Sequence, residues 1–454
     1  MRYVLTVIAS LLTLVSATQA DVKLPSVFGS HMVLQRDKPI QIFGFADPGE
    51  KITVTLGEEK GTATTGPQGA WKITLAARKA NAKGVTLTVE GDGTSITHTD
   101  ILVGDVWVGS GQSNMEWSLL QSAKPKETIA ESSHPLIRLY HVPKVQTQTP
   151  QRDIQATWRI CSPKNTPNFS AVLYHFGVKL NKELDVPVGL INSSWGGSRI
   201  EPWTVTADAK AKQVGGMYNA MIAPISQFPV KGVIWYQGES NMNEGMLYRD
   251  RKATLISDWR KFWGKDMPFY FVQIAPFAGY GAGKLPELWE AQAACLNLPG
   301  TGMAGTTDLV DDVKDIHPKN KQDVGERLAR WALNRTYGKT DIVVSGPLFK
   351  SVTIDGSKAV VSFAHAEGLK TRDDKPVSDF EVAGEDGKFV AAEAKIEGDK
   401  VVVTAKEVSK PAQVRFAWKN IVNPNLVNKE GLPAVAFRST EWKGGTGETS
   451  NDKK

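Results

Sequence analysis

Hydrophobic positions change their spacing twice along this chain. From Asp21 to about Asp100 they form short runs, such as Ile52 to Leu56 and Trp71 to Leu75, separated by the turn signals Asp47-Pro48-Gly49 and Gly66-Pro67-Gln68-Gly69. That texture predicts a small β-sandwich over residues 21–100. From Ile101 the apolar runs alternate with longer amphipathic stretches, which predicts βαβ units and a mainly parallel sheet over residues 101–341. Strands are expected at Leu102–Gly109, Val186–Asn192, Val230–Tyr236, Phe269–Ala275 and Thr301–Thr306. Helices are expected at Ala171–Leu184, Leu247–Trp263, Glu287–Leu298 and Lys321–Tyr337, the last closed by Gly338. In that helix Val324, Leu328, Trp331 and Ala332 share one face, and Trp259, Phe262 and Trp263 read as core on the stripe of theirs. Over residues 342–442 the β texture returns, with Val352 to Ile354 facing Val360 to Phe363 and Ala394 to Ile396 facing Val401 to Thr404 across Gly-containing turns. A second β-sandwich is predicted there, and a frayed polar tail over residues 443–454.

Composition narrows the class. The 454 residues suit about three domains, and 41% hydrophobic with 22% charged residues excludes disordered and fibrous classes. A net charge of +6, from 54 basic against 48 acidic residues, is thin over so large a surface, so no nucleic-acid partner is expected. Arg2, the apolar run from Val4 to Val15 and the small residues to Ala20 read as a signal peptide over residues 1–20, giving a secreted or periplasmic protein. The run is shorter than the ~20 residues a spanning helix needs, and no stable membrane anchor is expected. Cys161 and Cys295 are the only cysteines; they allow one bridge or two buried thiols and exclude a multi-Cys metal site.

In an open α/β sheet, ligands bind outside the carboxyl ends of the strands, and polar residues gather where the predicted strands stop. The first is followed by Gly111-Gln112-Ser113-Asn114-Met115-Glu116, the second by Trp195-Gly196-Gly197-Ser198-Arg199, the third by Gln237-Gly238-Glu239-Ser240-Asn241, and the fifth by Asp308, Asp311, Asp312, Asp315 and His317. Acyl transfer needs a hydroxyl, a base, a group that orients the base, and donors for the oxyanion. Ser113 lies on a tight turn before a predicted helix. Of the seven histidines, His317 alone follows a predicted strand end beside acidic residues. Asp315 is the nearest residue to hold its tautomer, with Asp312 second. Gly197, lacking a side chain, lets its N–H approach a substrate, and the Gln237 amide can donate where an ionised Glu239 cannot. No His pair stands at metal-ligand spacing, so a zinc hydrolase is not expected, and acyl transfer through a serine requires no cofactor. A Glu239–Asp glycosidase pair would leave the Ser113 and His317 loops without a role.

Together, Gly111-Gln112-Ser113-Asn114-Met115-Glu116, Trp195-Gly196-Gly197-Ser198, Trp235-Tyr236-Gln237-Gly238-Glu239-Ser240-Asn241 and Asp315-Ile316-His317-Pro318 resemble the sialate O-acetylesterase family of the SGNH hydrolases. The resemblance spans nearly the whole chain after residue 20. It implies a flavodoxin-like α/β core flanked by β-sandwich-like domains. It also implies a serine esterase with Ser113 as nucleophile, His317 as base, Asp315 as its partner, and Ser113 N–H, Gly197 N–H and the Gln237 amide as oxyanion donors. Three features depart from the superfamily pattern: Gly111-Gln112-Ser113 replaces Gly-Asp-Ser, Gln237-Gly238-Glu239 replaces Gly-x-Asn-Asp, and Lys314 stands where Asp-x-x-His would place its aspartate. The expected substrate is an O-acetylated carbohydrate, foremost O-acetylated sialic acid, whose carboxylate Arg199 would pair unless a salt bridge within the fold takes it. An aromatic cleft of Trp117, Trp195 or Trp203 would suit an acetylated polysaccharide such as xylan, the alternative substrate. A noncatalytic carbohydrate-binding protein is the reading from another class, and oligomeric state is open.

Overall fold

In the computed structural model residues 21–205 and 214–439 are described, so the expected leader and tail lie outside the described residues. The chain is organised around one strand, β1 (Ser95–Gly111), whose burial pattern changes half-way. Its first six residues alternate between exposed and half-buried, whereas every residue from Ile101 to Gly111 is buried, the signature of a strand covered on both faces. Asn81–Glu90 pairs antiparallel with the first part, while the second joins the central sheet. The change of texture expected near Ile101 therefore falls inside a continuous strand.

The other central strands are β2 (His134–His141), β3 (Trp158–Cys161), β4 (Val188–Ser194), β5 (Gly232–Tyr236), β6 (Phe269–Val272) and β7 (Thr301–Ala304). They lie in the order β7-β6-β5-β1-β4-β2-β3, all parallel except β3, which runs against β2. The five expected parallel strands are present; β2 and β3 extend the sheet over a stretch to which the sequence pattern assigns no strand. β2 gives a weak signal because Pro135 lies near its start and Arg138 is buried within it through a charge pair with Asp100.

Helices α1 (Ser113–Glu116), α2 (Ala171–Leu184), α3 (Leu247–Trp263), α4 (Lys284–Ala294) and α5 (Gln322–Trp331) connect or flank the strands. Ser170 starts α2: its Oγ accepts from Leu173 N–H at 3.2 Å and donates to Met115 O at 2.6 Å, a cap worth about 1 kcal/mol that also ties α2 to α1. The α5 face forms as its spacing predicts, with Val324, Leu328, Trp331 and Ala332 buried, and Trp259 packs edge-on to Trp235 at 6.0 Å. Cys161 and Cys295 are separate buried thiols.

β-rich regions flank this core. On the N-terminal side Ile40–Phe45 pairs with Ala70–Leu75, and Arg36 bonds the buried Asp105 of β1 at 2.8 Å. On the C-terminal side two four-stranded sheets meet around Phe437, which stacks on Phe349 at 4.4 Å and contacts Phe416 at 6.0 Å. Arg438 grips Glu290 of α4 through two bonds, fastening that region to the core. Among the described residues no helix is long and apolar enough to cross a membrane.

Candidate active site

Chain order reverses at β1: β4 and β2 lie on one side, β5, β6 and β7 on the other, and the carboxyl edge of such a reversal is where open α/β sheets leave a crevice. Register sets three polar segments side by side there, with Gly111 of β1 opposite both Ser194 of β4 and Tyr236 of β5. Gly111 has φ +136°, and a Cβ on it would run into the Tyr236 carbonyl, so the strand can end this way only at glycine. The chain then turns through Gln112 into the single turn of α1, whose first residue is Ser113. Gln112 Oε1 accepts the Ser240 N–H at 3.1 Å, locking the turn to the segment after β5.

His317 arrives on the loop after β7. Arg327 of α5 anchors that loop by two bonds to Asp308, 2.7 and 2.6 Å, and a third to Gly305 O. The imidazole stacks on Trp117, centroids 4.2 Å apart and planes 16° from parallel, which brings Nε2 to 2.9 Å from Ser113 Oγ. Burial, followed by the charge of Lys321, holds the His317 pKa below its ordinary value while Asp315 opposes them. The ring is therefore mostly neutral at neutral pH and can accept a proton from Ser113.

Asp315 does not bond that ring. Its Oδ1 lies 3.8 Å from His317 Nδ1 and accepts the His317 backbone N–H at 2.8 Å, so it acts on the imidazole through charge. The Asp312 carboxylate instead accepts the Lys314 N–H at 2.8 Å. With only one residue between Asp315 and His317, the carboxylate meets the backbone before it can meet the ring.

Across the crevice Gly196 packs over Ser113, its N–H held at 2.5 Å by Glu116 Oε2. Gly197 follows at φ +74°, exposed, and among the described residues nothing accepts its N–H or that of Ser113. Gln237 does not join them. It is fully buried, and its amide donates to Asn241 Oδ1 at 2.7 Å and Ser198 O at 3.3 Å, while Tyr248 donates to its Oε1. Both amide hydrogens are thus engaged inside the fold, so the Gln237 amide is corrected from an oxyanion donor to a fixing group of the loop. Arg199 forms the internal salt bridge that is the alternative to a substrate contact: its guanidinium bonds Glu201 at 2.8 Å, Glu244, and Ser240 O at 2.8 Å. Trp203 is fully buried, donating to Ser198 Oγ at 3.0 Å, so it cannot line a cleft; Trp195 and Trp117 are half-buried beside the crevice.

A further cluster lies behind Ser113. Asn114 donates to Glu239 Oε1 at 2.6 Å and to Ile316 O at 3.1 Å, and its Oδ1 accepts from Lys321 Nζ at 2.5 Å. It therefore joins the Ser113 turn to the residue before His317. Burial pulls the Lys321 pKa down to about 7, against the charges of Glu239 and Asp315, and pushes that of Glu239 up. Lys321 carries no signal in sequence because its partner lies 207 residues away.

A family model, described as "Carbohydrate esterase, sialic acid-specific acetylesterase", matches residues 103–334, the span that holds every one of these groups. The chain belongs to that family. Sialic acid-specific acetylesterases are carbohydrate esterases, so this protein is a hydrolase of acetylated carbohydrates. Among curated proteins the sialate O-acetylesterase of Homo sapiens is 30% identical over 403 residues, covering 76% of this chain and 77% of that protein. The sialate O-acetylesterase of Mus musculus is 28% identical over 432 residues, with 76% and 79% covered. Among solved structures, a carbohydrate acetylesterase from Xanthomonas citri is 39% identical with a TM-score of 0.89, covering 93% of this chain and all of that one. The acetylesterase family and enzyme class expected from the four motifs are thereby met.

Proposed function

We propose that this sialic acid-specific acetylesterase relative is a serine esterase that removes O-acetyl groups from sugars, foremost from sialic acid, through an acetyl-Ser113 intermediate. The observation that carries the reading is the 2.9 Å approach of His317 Nε2 to Ser113 Oγ, with Gly196 packed against Ser113 and the next N–H, that of Gly197, unengaged. Ser113 Oγ attacks the acetyl carbonyl as His317 takes its proton. The Ser113 and Gly197 N–H groups face the oxyanion, a role in which one donor is commonly worth about 3 kcal/mol of the barrier. His317 returns the proton to the departing sugar oxygen; water, deprotonated by the same ring, then releases acetate. The core has the SGNH arrangement with β-sandwich-like flanks, and residues 1–20 direct export. Residues 103–334 matching a sialic acid-specific model favours sialic acid, whereas the commitment of Arg199 to Glu201 and Glu244 keeps an acetylated neutral polysaccharide as the second reading.

Acetate release from O-acetylated sialic acid and from acetylated xylo-oligosaccharides, measured side by side, tests this. Ser113→Ala is expected to lower kcat by about 10⁴-fold or more with the circular-dichroism spectrum unchanged. Turnover near the original rate in that variant would remove Ser113 from the mechanism.

A further inference from the structure

Arg199 already holds two carboxylates, so an acidic sugar at this rim needs positive charge from elsewhere. Such charge lies on the opposite side of the crevice. A cavity of about 520 Å³ opens beside the carboxyl end of β2, lined among others by His141, Gln155, Arg159, Lys164, Asn168 and Phe169. Its lining includes two cations and no carboxylate. Arg159 and Lys164 are exposed, and among the described residues neither side chain has a hydrogen-bond or ion-pair partner. This differs from the other cations beside the crevice: Lys144 bonds Glu116 at 2.7 Å, and Lys321 is buried on Asn114.

The cavity belongs to the same edge of the sheet as Ser113. His141 ends β2 and pairs with Asn192 of β4, which pairs with Gly109 of β1. Two strand spacings separate β2 from β1, roughly 10 Å. Because β3 runs against β2, Arg159 at its start sits opposite Leu139 near the end of β2 and reaches this edge. Phe169, in the cavity wall, accepts the Leu119 N–H through its carbonyl, and Ala171 donates to Trp117 O, so the wall is bonded to the segment that carries Trp117 and the stacked His317 ring. His141 also senses the surrounding charges: partial burial lowers its pKa, Glu116 opposes this, and Lys144 and Arg159 add to it.

We propose that this cavity is the subsite for the carboxylate-bearing part of an acidic sugar whose acetyl group lies at Ser113, with Arg159 and Lys164 supplying the charge and the Gln155 and Asn168 amides meeting its hydroxyls. The proposal rests on the acetylesterase reading for the place of the acetyl group, but binding can test it without turnover. Arg is the better geometric match to a carboxylate because its fork can donate two parallel bonds, while Lys adds a point charge.

The test measures calorimetric binding of de-acetylated sialic acid, its methyl ester and neutral xylo-oligosaccharides to the Ser113→Ala protein, with and without Arg159→Gln and Lys164→Gln together. In parallel, p-nitrophenyl acetate turnover is followed with Ser113 intact. The free acid is expected to bind about tenfold more tightly than the ester, equivalent to about 1.4 kcal/mol, and the double substitution to abolish that difference. Raising salt should shrink it too, since the groups are exposed, and p-nitrophenyl acetate turnover should not change. Equal affinity for acid and ester, or a preference that survives the double substitution, overturns the subsite. So does tight xylo-oligosaccharide binding lost to the same degree, which would give the cavity to a neutral chain. If carboxylate binding depends on these residues while no ester is hydrolysed, the subsite stands and the esterase reading falls.

Discussion

Behind Ser113 lies a small polar cluster of Asn114, Glu239 and Lys321; beside Gly197 lies a larger one of Arg199, Glu201, Glu244 and Arg251. The first is sealed: Asn114 and Lys321 are almost wholly buried, Glu239 nearly so, and among the described residues Glu239 Oε2 finds no hydrogen-bond partner. The second balances two cations against two anions, with direct ion pairs among them and the Arg199 side chain 46% exposed. Burial works against ionisation in the first, lowering the Lys321 pKa and raising that of Glu239. In the second, burial of Glu201 is outweighed by bonds from Arg199 and Asn241, and its carboxyl stays below the ordinary range. A sealed cluster transmits its loss to whatever it touches, here the Ser113 turn and the Ile316 carbonyl, because no water is at hand to replace a missing partner. A part-exposed network has that replacement.

Lys321→Met should therefore have the largest effect of the substitutions that contrast these clusters. It leaves the buried Asn114 Oδ1 without its donor and removes the positive charge near Glu239, at a cost of about 2 kcal/mol in urea unfolding, and adding Glu239→Gln should recover part of that loss. A misplaced Ser113 or His317 would lower kcat by about 10²-fold. The pH profile separates charge from mere packing. His317 must be neutral to act, so kcat/KM falls as pH drops through its pKa, which burial and Lys321 hold below its ordinary value. Removing Lys321 raises that pKa, and the acid limb should move to higher pH. A limb that stays in place would make Lys321 a packing residue only.

Asp315→Asn should come next and shift the limb the other way. Asp315 raises the His317 pKa, so its neutralisation should carry the limb to lower pH. At 3.8 Å from Nδ1 the carboxylate makes no hydrogen bond to the ring, and kcat should fall by about tenfold rather than the ~10⁴-fold seen where such a bond sets the tautomer. A loss approaching the larger figure would mean that the two groups bond during turnover.

The contrast also explains what the sequence discloses. Ser113, Gly197 and His317 lie on the segments that follow strand ends, and strand ends follow from the apolar pattern, so chemistry and position agree before any contact is known. The roles of Gln237 and Arg199 depend on which acceptors lie within hydrogen-bond reach, and those acceptors, Asn241, Ser198, Glu201 and Glu244, are set by loop packing that has no period to read. Lys321 is more opaque still: a lysine beginning an amphipathic helix reads as a solvated end, and only the long-range closure of the β7 loop over α1 buries it. The central α/β alternation is plain because five strands and four helices carry their own periodicity. β2 is hidden because Arg138, buried on Asp100 from the preceding strand, breaks its apolar run.

Arg199→Gln should have the smallest effect, although its side chain lies two residues from Gly197. Arg251 still pairs with both Glu201 and Glu244 after the substitution, so neither carboxylate is left without a cation. With nearly half of the Arg199 side chain in water, its ion pairs are screened and stability should fall by less than about 1 kcal/mol. If Arg199 only fastens the Gly197 loop to the segment after β5, kcat/KM for acid and ester forms of an acetylated sialic acid should fall together, by less than about fivefold. A loss confined to the free acid would place the sugar carboxylate on Arg199 instead, and the part-exposed cluster would then be the one that reads substrate.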